Sequence, residues 1–154
     1  MICYKISLVI IHSLNWQGIC NKNMLDHTME INCHFDHFNI NVTDLSRSIE
    51  FYKTALGLEK TDEKIASDGS YIINFLKAPK GNFRLELTWL KDHPQPYELG
   101  DNESHLAVRL DTDNYDEVRE YHRHLGVICF ENPAMGIYFI HDPDDYWIEI
   151  LRKK

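Results

Sequence analysis

The chain has 154 residues, 44% of them hydrophobic, which is enough for one folded domain with a substantial core. Its formal net charge of -8 disfavours nucleic acid and anionic membrane surfaces as partners, because an acidic surface repels both. A small molecule or another protein is therefore the expected partner.

The first 29 residues are expected to stand outside the folded domain. Their apolar stretch at 6–14 resembles the core of a signal peptide, but it is too short to span a bilayer and no small-residue cleavage site follows it. Met24 and Met29 are alternative start positions just before the regular pattern begins. We interpret residues 1–29 as a disordered leader or an artefact of the gene start, and residues 30–154 as a single domain.

The cysteines indicate a reducing compartment. Cys3, Cys20, Cys33 and Cys129 form no C-x-x-C pair. We expect them to be free thiols, which favours a cytoplasmic location.

The first half of the domain, about 34–91, begins with the strand FDHFNINV and the helix DLSRSIEFYKTALG. Asp44 is a candidate N-cap and Gly57 a candidate helix end. The apolar face of this helix has spacings of 4, 3 and 4 and consists of Leu45, Ile49, Tyr52 and Leu56. Three strands are then expected near 58–66, 70–77 and 83–90.

The second half, about 103–152, repeats this order. It reads as the strand SHLAVRLD, the helix DNYDEVREYHRHLG, the strand VICFENPA and the hairpin GIYFIHDPDDYWIEIL. Pro143 stands where a type I turn prefers proline. Each half is therefore predicted to be β-α-β-β-β, and the chain is predicted to be a tandem duplication with an α+β fold.

The repeat places chemistry-bearing residues as well as elements. A His stands on the first strand of each half and a Glu on the last, so that His37 precedes Glu86 by 49 residues and His105 precedes Glu149 by 44. In strand alternation all four lie opposite the main aliphatic row of their strand. We assign the aliphatic rows to packing under the helices, which leaves a concave face for these four.

A single His or Glu on a polar strand face is usually just solvated, but four at equivalent places in two repeats favour a metal site. Two nitrogen and two oxygen donors leave about two positions for water on a six-coordinate divalent ion. The sequence therefore predicts a metal site made of His37, Glu86, His105 and Glu149. His141, near the last turn, is a weaker candidate for a supporting role, and Ser70 and Cys129 lack a nucleophile motif.

Four stretches carry a family resemblance: DHFNINVTDLSRSIEFYKTALGLE, RLELTW, YELGDNESHLAVRL and DPDDYWIEIL. Over residues 35–151 the chain resembles the glyoxalase I (lactoylglutathione lyase) branch of the vicinal oxygen chelate superfamily. The resemblance implies two tandem βαβββ modules that form a cupped mixed sheet with helices on its outer face. It also implies that the four residues above are the metal ligands, with Ni or Co favoured over Zn because position 37 is His.

The resemblance implies a reaction as well. A thiol adds to methylglyoxal to give a hemithioacetal, a carboxylate removes the C1 proton, and reprotonation at C2 of the resulting enediolate yields an S-lactoyl thioester. By this resemblance Glu149 is the catalytic base and Glu86 the partner carboxylate. Asn41 and Leu90 replace an Arg and an Asn that help to hold glutathione in many relatives, so the thiol stays open.

Several alternatives stay open beside a methylglyoxal-detoxifying lyase. An epimerase could use the same proton abstraction, whereas a fosfomycin thiol transferase or an extradiol dioxygenase would need only three ligands. A metal-free protein that sequesters a drug or metabolite would not need all four. The resemblance also implies a homodimer with two shared sites.

Overall fold

The two halves of the chain fold into the same order of one helix and four strands. The computed structural model describes residues 30–154, so the predicted leader lies outside the described residues. The first module contains β1 (His37–Asn41), α1 (Leu45–Leu56), β2 (Glu59–Ile65), β3 (Tyr71–Lys77) and β4 (Arg84–Leu90). The second module contains β5 (Leu106–Arg109), α2 (Tyr115–His124), β6 (Ile128–Asn132), β7 (Ile137–His141) and β8 (Trp147–Leu151).

Each module builds its own four-stranded mixed sheet. The strand order is β1-β4-β3-β2 in the first sheet and β5-β8-β7-β6 in the second. In each sheet the first strand runs parallel to the last, and the other pairs are antiparallel. The predicted α+β fold with two βαβββ modules is confirmed, and the parallel pairing places each His strand directly beside its Glu strand.

Helix α1 follows the local signals in its sequence. The Asp44 side chain accepts a hydrogen bond from the backbone N–H of Arg47 at 3.0 Å, as an N-cap residue does. Gly57 ends the helix with φ of 65°, a left-handed conformation that glycine adopts without a Cβ clash. The most deeply buried stripe contains Ser48, Tyr52 and Ala55, while the predicted Leu45, Ile49 and Leu56 are half-buried at its flanks.

The aliphatic rows of the strands form the core, as strand alternation predicts. On β1, β4 and β8, five residues with at most 4% exposure lie on these rows, and they are Ile40, Leu85, Leu87, Ile148 and Ile150; Val42, directly after β1, is fully buried as well. Both ligand-bearing strand pairs therefore turn their aliphatic side inward and leave the opposite side for the polar residues. Within residues 30–154, no helix is both long enough and apolar enough to cross a membrane.

A buried polar network joins the first module to the β7–β8 turn. Asp142, which is 1% exposed, accepts hydrogen bonds from the Tyr52 hydroxyl at 2.9 Å and from the backbone N–H groups of Asp144 and Tyr146. Burial raises the pKa of Asp142 to about 6, although these hydrogen bonds oppose the rise. The backbone N–H of Asp145 closes the turn on the Asp142 carbonyl, with Pro143 at the predicted place.

Candidate metal centre

The first half-site is the pair His37 and Glu86 on neighbouring strands. The His37 Nε2 atom lies 3.3 Å from Glu86 Oε2. The imidazole is 39% exposed, whereas the carboxylate is only 14% exposed. The pair therefore presents one nitrogen and one oxygen donor together on the polar face of the first sheet.

The second half-site repeats this arrangement. The His105 Nε2 atom lies 3.5 Å from Glu149 Oε2, and the two side chains are 34% and 17% exposed. Glu149 is paired in register with Ala107, just as Glu86 is paired with Asn39. The duplication seen in the sequence thus extends to the side-chain geometry.

The structure brings the four predicted ligands together in two pairs, not as one group within a single chain. Among residues 30–154 there is no cluster of three or more His, Cys, Asp or Glu side chains that could hold a metal ion. Each pair nevertheless fits a divalent ion, since adjacent ligands at about 2.1 Å from a metal stand about 3 Å apart. Imidazole nitrogen with carboxylate oxygen is also a donor set that first-row divalent ions accept.

Glu86 is held by neighbours besides His37. The Asn39 amide donates to Glu86 Oε1 at 2.9 Å, and the Thr88 hydroxyl donates to the same oxygen at 3.3 Å. Asn39 also donates to Thr88 Oγ1 at 2.6 Å. These contacts leave Oε2 facing His37 and fix the orientation of the carboxylate.

His37 is also held from its other side. Its Nδ1 donates to Asp36 Oδ2 at 2.8 Å, and the same carboxylate oxygen accepts from Arg84 Nη2. These hydrogen bonds, to His37 first and Arg84 second, hold the pKa of the Asp36 carboxyl below its usual range. In a neutral imidazole, a proton on Nδ1 leaves the Nε2 lone pair for a bound ion.

The second half-site has aromatic rather than polar surroundings. The Phe139 ring contacts His105 edge-on, with centroids 5.1 Å apart, and Trp147 lies 5.6 Å from Phe139. Phe130 stacks on Trp147 at 6.2 Å. In the described part of the chain, His105 is the one side chain near enough to pair with the Glu149 carboxylate.

A Phe occupies the same place in both modules, and the sequence analysis did not identify it. Phe75 contacts His37 edge-on at 5.7 Å, as Phe139 contacts His105. Each Phe is the register partner of its module's Glu. Aligning the two halves would have found them, since each Phe stands in the strand before the Glu strand.

The other candidates lie apart from the two pairs. His141 Nδ1 pairs with Asp145 Oδ1 at 3.1 Å and contacts neither Glu. Asn41 and Leu90 follow the ligands on the same faces of β1 and β4. Cys33 and Cys129 are both exposed and unpaired, whereas Cys3 and Cys20 lie outside the described residues.

Comparison with known proteins matches these features to a family. Residues 34–150 match the model of the Glyoxalase/Bleomycin resistance protein/Dioxygenase superfamily. The chain is 31% identical over 125 residues to a lactoylglutathione lyase of Neisseria meningitidis serogroup A, covering 77% of this chain and 89% of the relative. It is 32% identical over 128 residues to the lactoylglutathione lyase of Escherichia coli O157:H7, covering 77% and 91%.

A solved structure agrees with the sequence relatives. The trypanothione-dependent glyoxalase I of Leishmania major superposes with a TM-score of 0.66 at 29% identity, covering 79% of this chain and 87% of that one. The sequence relatives are lyases, and this chain fits the same class of enzyme. The repeated modules, the two His–Glu pairs and these matches agree, and the chain belongs to the glyoxalase/bleomycin resistance protein/dioxygenase superfamily.

Proposed function

We propose that the protein is a metal-dependent glyoxalase I-like lyase that isomerises the hemithioacetal of methylglyoxal and a thiol to an S-lactoyl thioester. The observation that carries the proposal is the pair of equivalent His–Glu half-sites. Glu86 accepts a hydrogen bond from the amide of its register partner Asn39, whereas Glu149, among the described residues, only pairs with His105. Proton transfer from C1 to C2 needs one carboxylate that is free to accept and return a proton.

The two pairs would together hold one divalent ion. His37 and Glu86 would supply one half of the ligand set, and His105 and Glu149 the other. Mixed imidazole and carboxylate sets accept Ni, Co and Zn. Ni or Co is favoured because position 37 is His, as in the nickel- or cobalt-activated class that the chain resembles. A bound ion would supply Lewis-acid stabilisation of the negative charge that develops on the substrate oxygens.

Glu149 has the freedom that a catalytic base requires. Glu86 would have to break bonds to Asn39 and Thr88 before it could turn toward a substrate carbon. Glu149 has Ala107 as its register partner, and within residues 30–154 only His105 pairs with its carboxylate. We therefore assign proton removal at C1 and proton return at C2 to Glu149.

The complete site would be shared between two copies of the chain. β1 begins at His37 and β5 begins directly after His105, and each of these strands is at the edge of its sheet. An edge strand offers unpaired backbone groups to another strand. Packing β1 of one copy near β5 of another would bring the two half-sites together, which supports a homodimer with two sites.

The thiol is the least constrained part of the substrate. Asn41 carries no positive charge and Leu90 no amide, so neither can make the contact of the Arg and Asn expected for glutathione. The relatives named above use glutathione and trypanothione respectively. Both thiols, and simpler ones such as cysteine, belong in the assay.

The test is thioester formation from methylglyoxal, followed by ultraviolet absorbance, with each thiol and with Ni, Co or Zn added to metal-free protein. We expect activity only with metal, and a loss of roughly 10²- to 10⁴-fold in kcat for Glu149→Gln. Glu86→Gln is the matched variant and should chiefly weaken metal binding. Absence of thioester with every thiol and metal would contradict the lyase, and tight binding of methylglyoxal adducts without metal would favour sequestration.

A further inference from the structure

The two half-sites repeat their ligands but not the residues around them. Asp36 precedes His37, whereas Ser104 precedes His105. Two residues before the Glu, the first module has Arg84 and the second has Trp147. The first half-site therefore has a layer of charged and polar residues that has no equivalent in the second half-site.

The first part of this layer acts on His37. Arg84 is the register partner of His37, and its backbone N–H donates to the Asp36 carbonyl at 3.1 Å. Its guanidinium lies 4.4 Å from the centroid of the Phe75 ring, so it is packed in place and not free in solvent. The Arg84 charge thus holds the Asp36 carboxylate where it accepts the His37 Nδ1 proton.

The corresponding contact in the second half-site is weaker. His105 Nδ1 faces the backbone carbonyl of Glu103 at 3.4 Å, the long end of hydrogen-bond distances. A hydrogen bond to a carboxylate is charge-assisted and is roughly twice as strong as one to a neutral acceptor. His37 is therefore held in one tautomer and one orientation more firmly than His105.

The second part of the layer acts on Glu86. Asn39 and Thr88 bond its Oε1 atom, and Asn39 also bonds Thr88. Their equivalents beside Glu149 are Ala107 and Leu151, which offer no polar side-chain atom. Both ligands of the first half-site are thus oriented before any ion is bound.

We infer that Asp36, Arg84, Asn39 and Thr88 are positioning residues that preorganise His37 and Glu86 for the metal ion. The inference rests on the proposed function, since it assumes that these two side chains are ligands. Contacts that orient a ligand are worth about 10- to 100-fold in metal affinity in other sites. None of these four residues is required to touch the substrate.

The experiment measures Co(II) affinity by titration of metal-free protein with the intact chain and with Asp36→Ala and Asn39→Ala. We expect each variant to weaken Co(II) binding by about 10- to 100-fold. Asp36→Asn keeps a carbonyl acceptor for Nδ1 and should lose less. Glu103→Gln is the matched control, because it removes an exposed carboxylate near His105 that makes no contact with the ring, and its affinity should not change.

A second readout does not depend on metal. Nitrogen NMR of the metal-free protein, at a pH of about 8 where free imidazole is neutral, reports which His37 nitrogen carries the proton. We expect Nδ1–H in the unmodified protein and a shift toward Nε2–H in Asp36→Ala. Unchanged tautomer and unchanged Co(II) affinity in the variants would overturn the positioning role and leave the proposed function standing. Failure of the unmodified protein to bind Co(II), Ni or Zn would overturn both.

Discussion

Glu86 and Glu149 occupy the same place in their modules, and the residues beside them decide what each can do. Asn39, the register partner of Glu86, donates to it, whereas Ala107, the partner of Glu149, has only a methyl group. This register partner, together with Thr88 on the Glu86 strand, thus separates a restrained carboxylate from a less restrained one. This difference can be tested by introducing an Asn beside Glu149.

Ala107→Asn is expected to restrain Glu149 and to slow the reaction. An amide at this position would donate to the carboxylate, and a hydrogen bond to a charged group is worth about 1.5–3 kcal/mol. Breaking that bond in the proton-transfer step corresponds to a loss of roughly 10- to 100-fold in kcat. Steady-state kinetics should show this loss while Co(II) affinity stays constant or improves.

Ala107→Val is the control for bulk alone, since it fills space but cannot donate a hydrogen bond. It should retain more activity than Ala107→Asn. Equal kcat for Ala107→Asn and the unmodified protein would count against Glu149 as the mobile base.

Asp142 is expected to make stability fall as the pH rises. Its pKa is about 6 in the folded protein against an ordinary value of 3.8, so the folded state binds the proton more tightly than the unfolded state. The associated stabilisation is complete below about pH 4 and is lost as the pH rises through about 6. Asp142→Asn, which keeps an acceptor for the Asp144 and Tyr146 amides, should remove a decline of about 3 kcal/mol.

Urea unfolding at intervals between about pH 4 and 7 measures this change in the free energy of unfolding. Asp92→Asn serves as the control, because it removes an exposed carboxylate and leaves Asp142 in place. His122 is also buried, and desolvation lowers its pKa below the ordinary value of 6.5. Its contribution to stability therefore has the opposite sign to that of Asp142: it is present above about pH 6.5 and is lost as the pH falls. A pH profile for Asp142→Asn parallel to that of the unmodified protein would contradict the prediction.

At the scale of elements, the sequence predicts features that depend on neighbouring residues, but it does not predict contacts between residues far apart in the chain. The limits of α1 follow from Asp44, Gly57 and the spacing of the apolar residues, all within one segment. Alternation alone also put His37 and Glu86 on the faces opposite the aliphatic rows. These features depend only on neighbours along the chain.

The polar layer around the first half-site could not be predicted in the same way. The Asn39–Glu86 and Asp36–Arg84 contacts join residues 47 and 48 positions apart. They depend on the parallel register of β1 against β4, and a shift of one residue would turn each side chain to the other face. The sequence repeat predicted the four ligands because both halves carry them. It could not predict residues that occur in only one half.

Helix α1 is expected to depend on its N-cap. Asp44→Ala removes the acceptor for the Arg47 amide and should lower the free energy of unfolding by about 1 kcal/mol. Asp44→Ser keeps a capping oxygen and should cost little. Urea unfolding of the two variants makes the comparison, and equal losses would show that the side-chain acceptor is not what matters at this position.

At the scale of the whole molecule, two incomplete half-sites and two sheet edges are the reason we propose a working unit larger than one chain. The described residues hold no group of three ligands, yet each pair already has the spacing of adjacent ligands on one ion. A two-fold dimer would join the first half-site of each copy to the second half-site of the other. The dimer would then contain two complete sites, each made of half-sites that are incomplete within one chain.

Mixing two inactive variants tests whether the site is shared. His37→Ala with Glu86→Ala destroys the first half-site, and His105→Ala with Glu149→Ala destroys the second, so each protein alone should form no active site. In a mixed dimer, one site combines the two intact halves and the other combines the two damaged halves. Random pairing after unfolding and refolding should therefore restore about a quarter of the unmodified activity. No recovery from well-folded mixed dimers, separated by different affinity tags, would mean that each site is built within one chain.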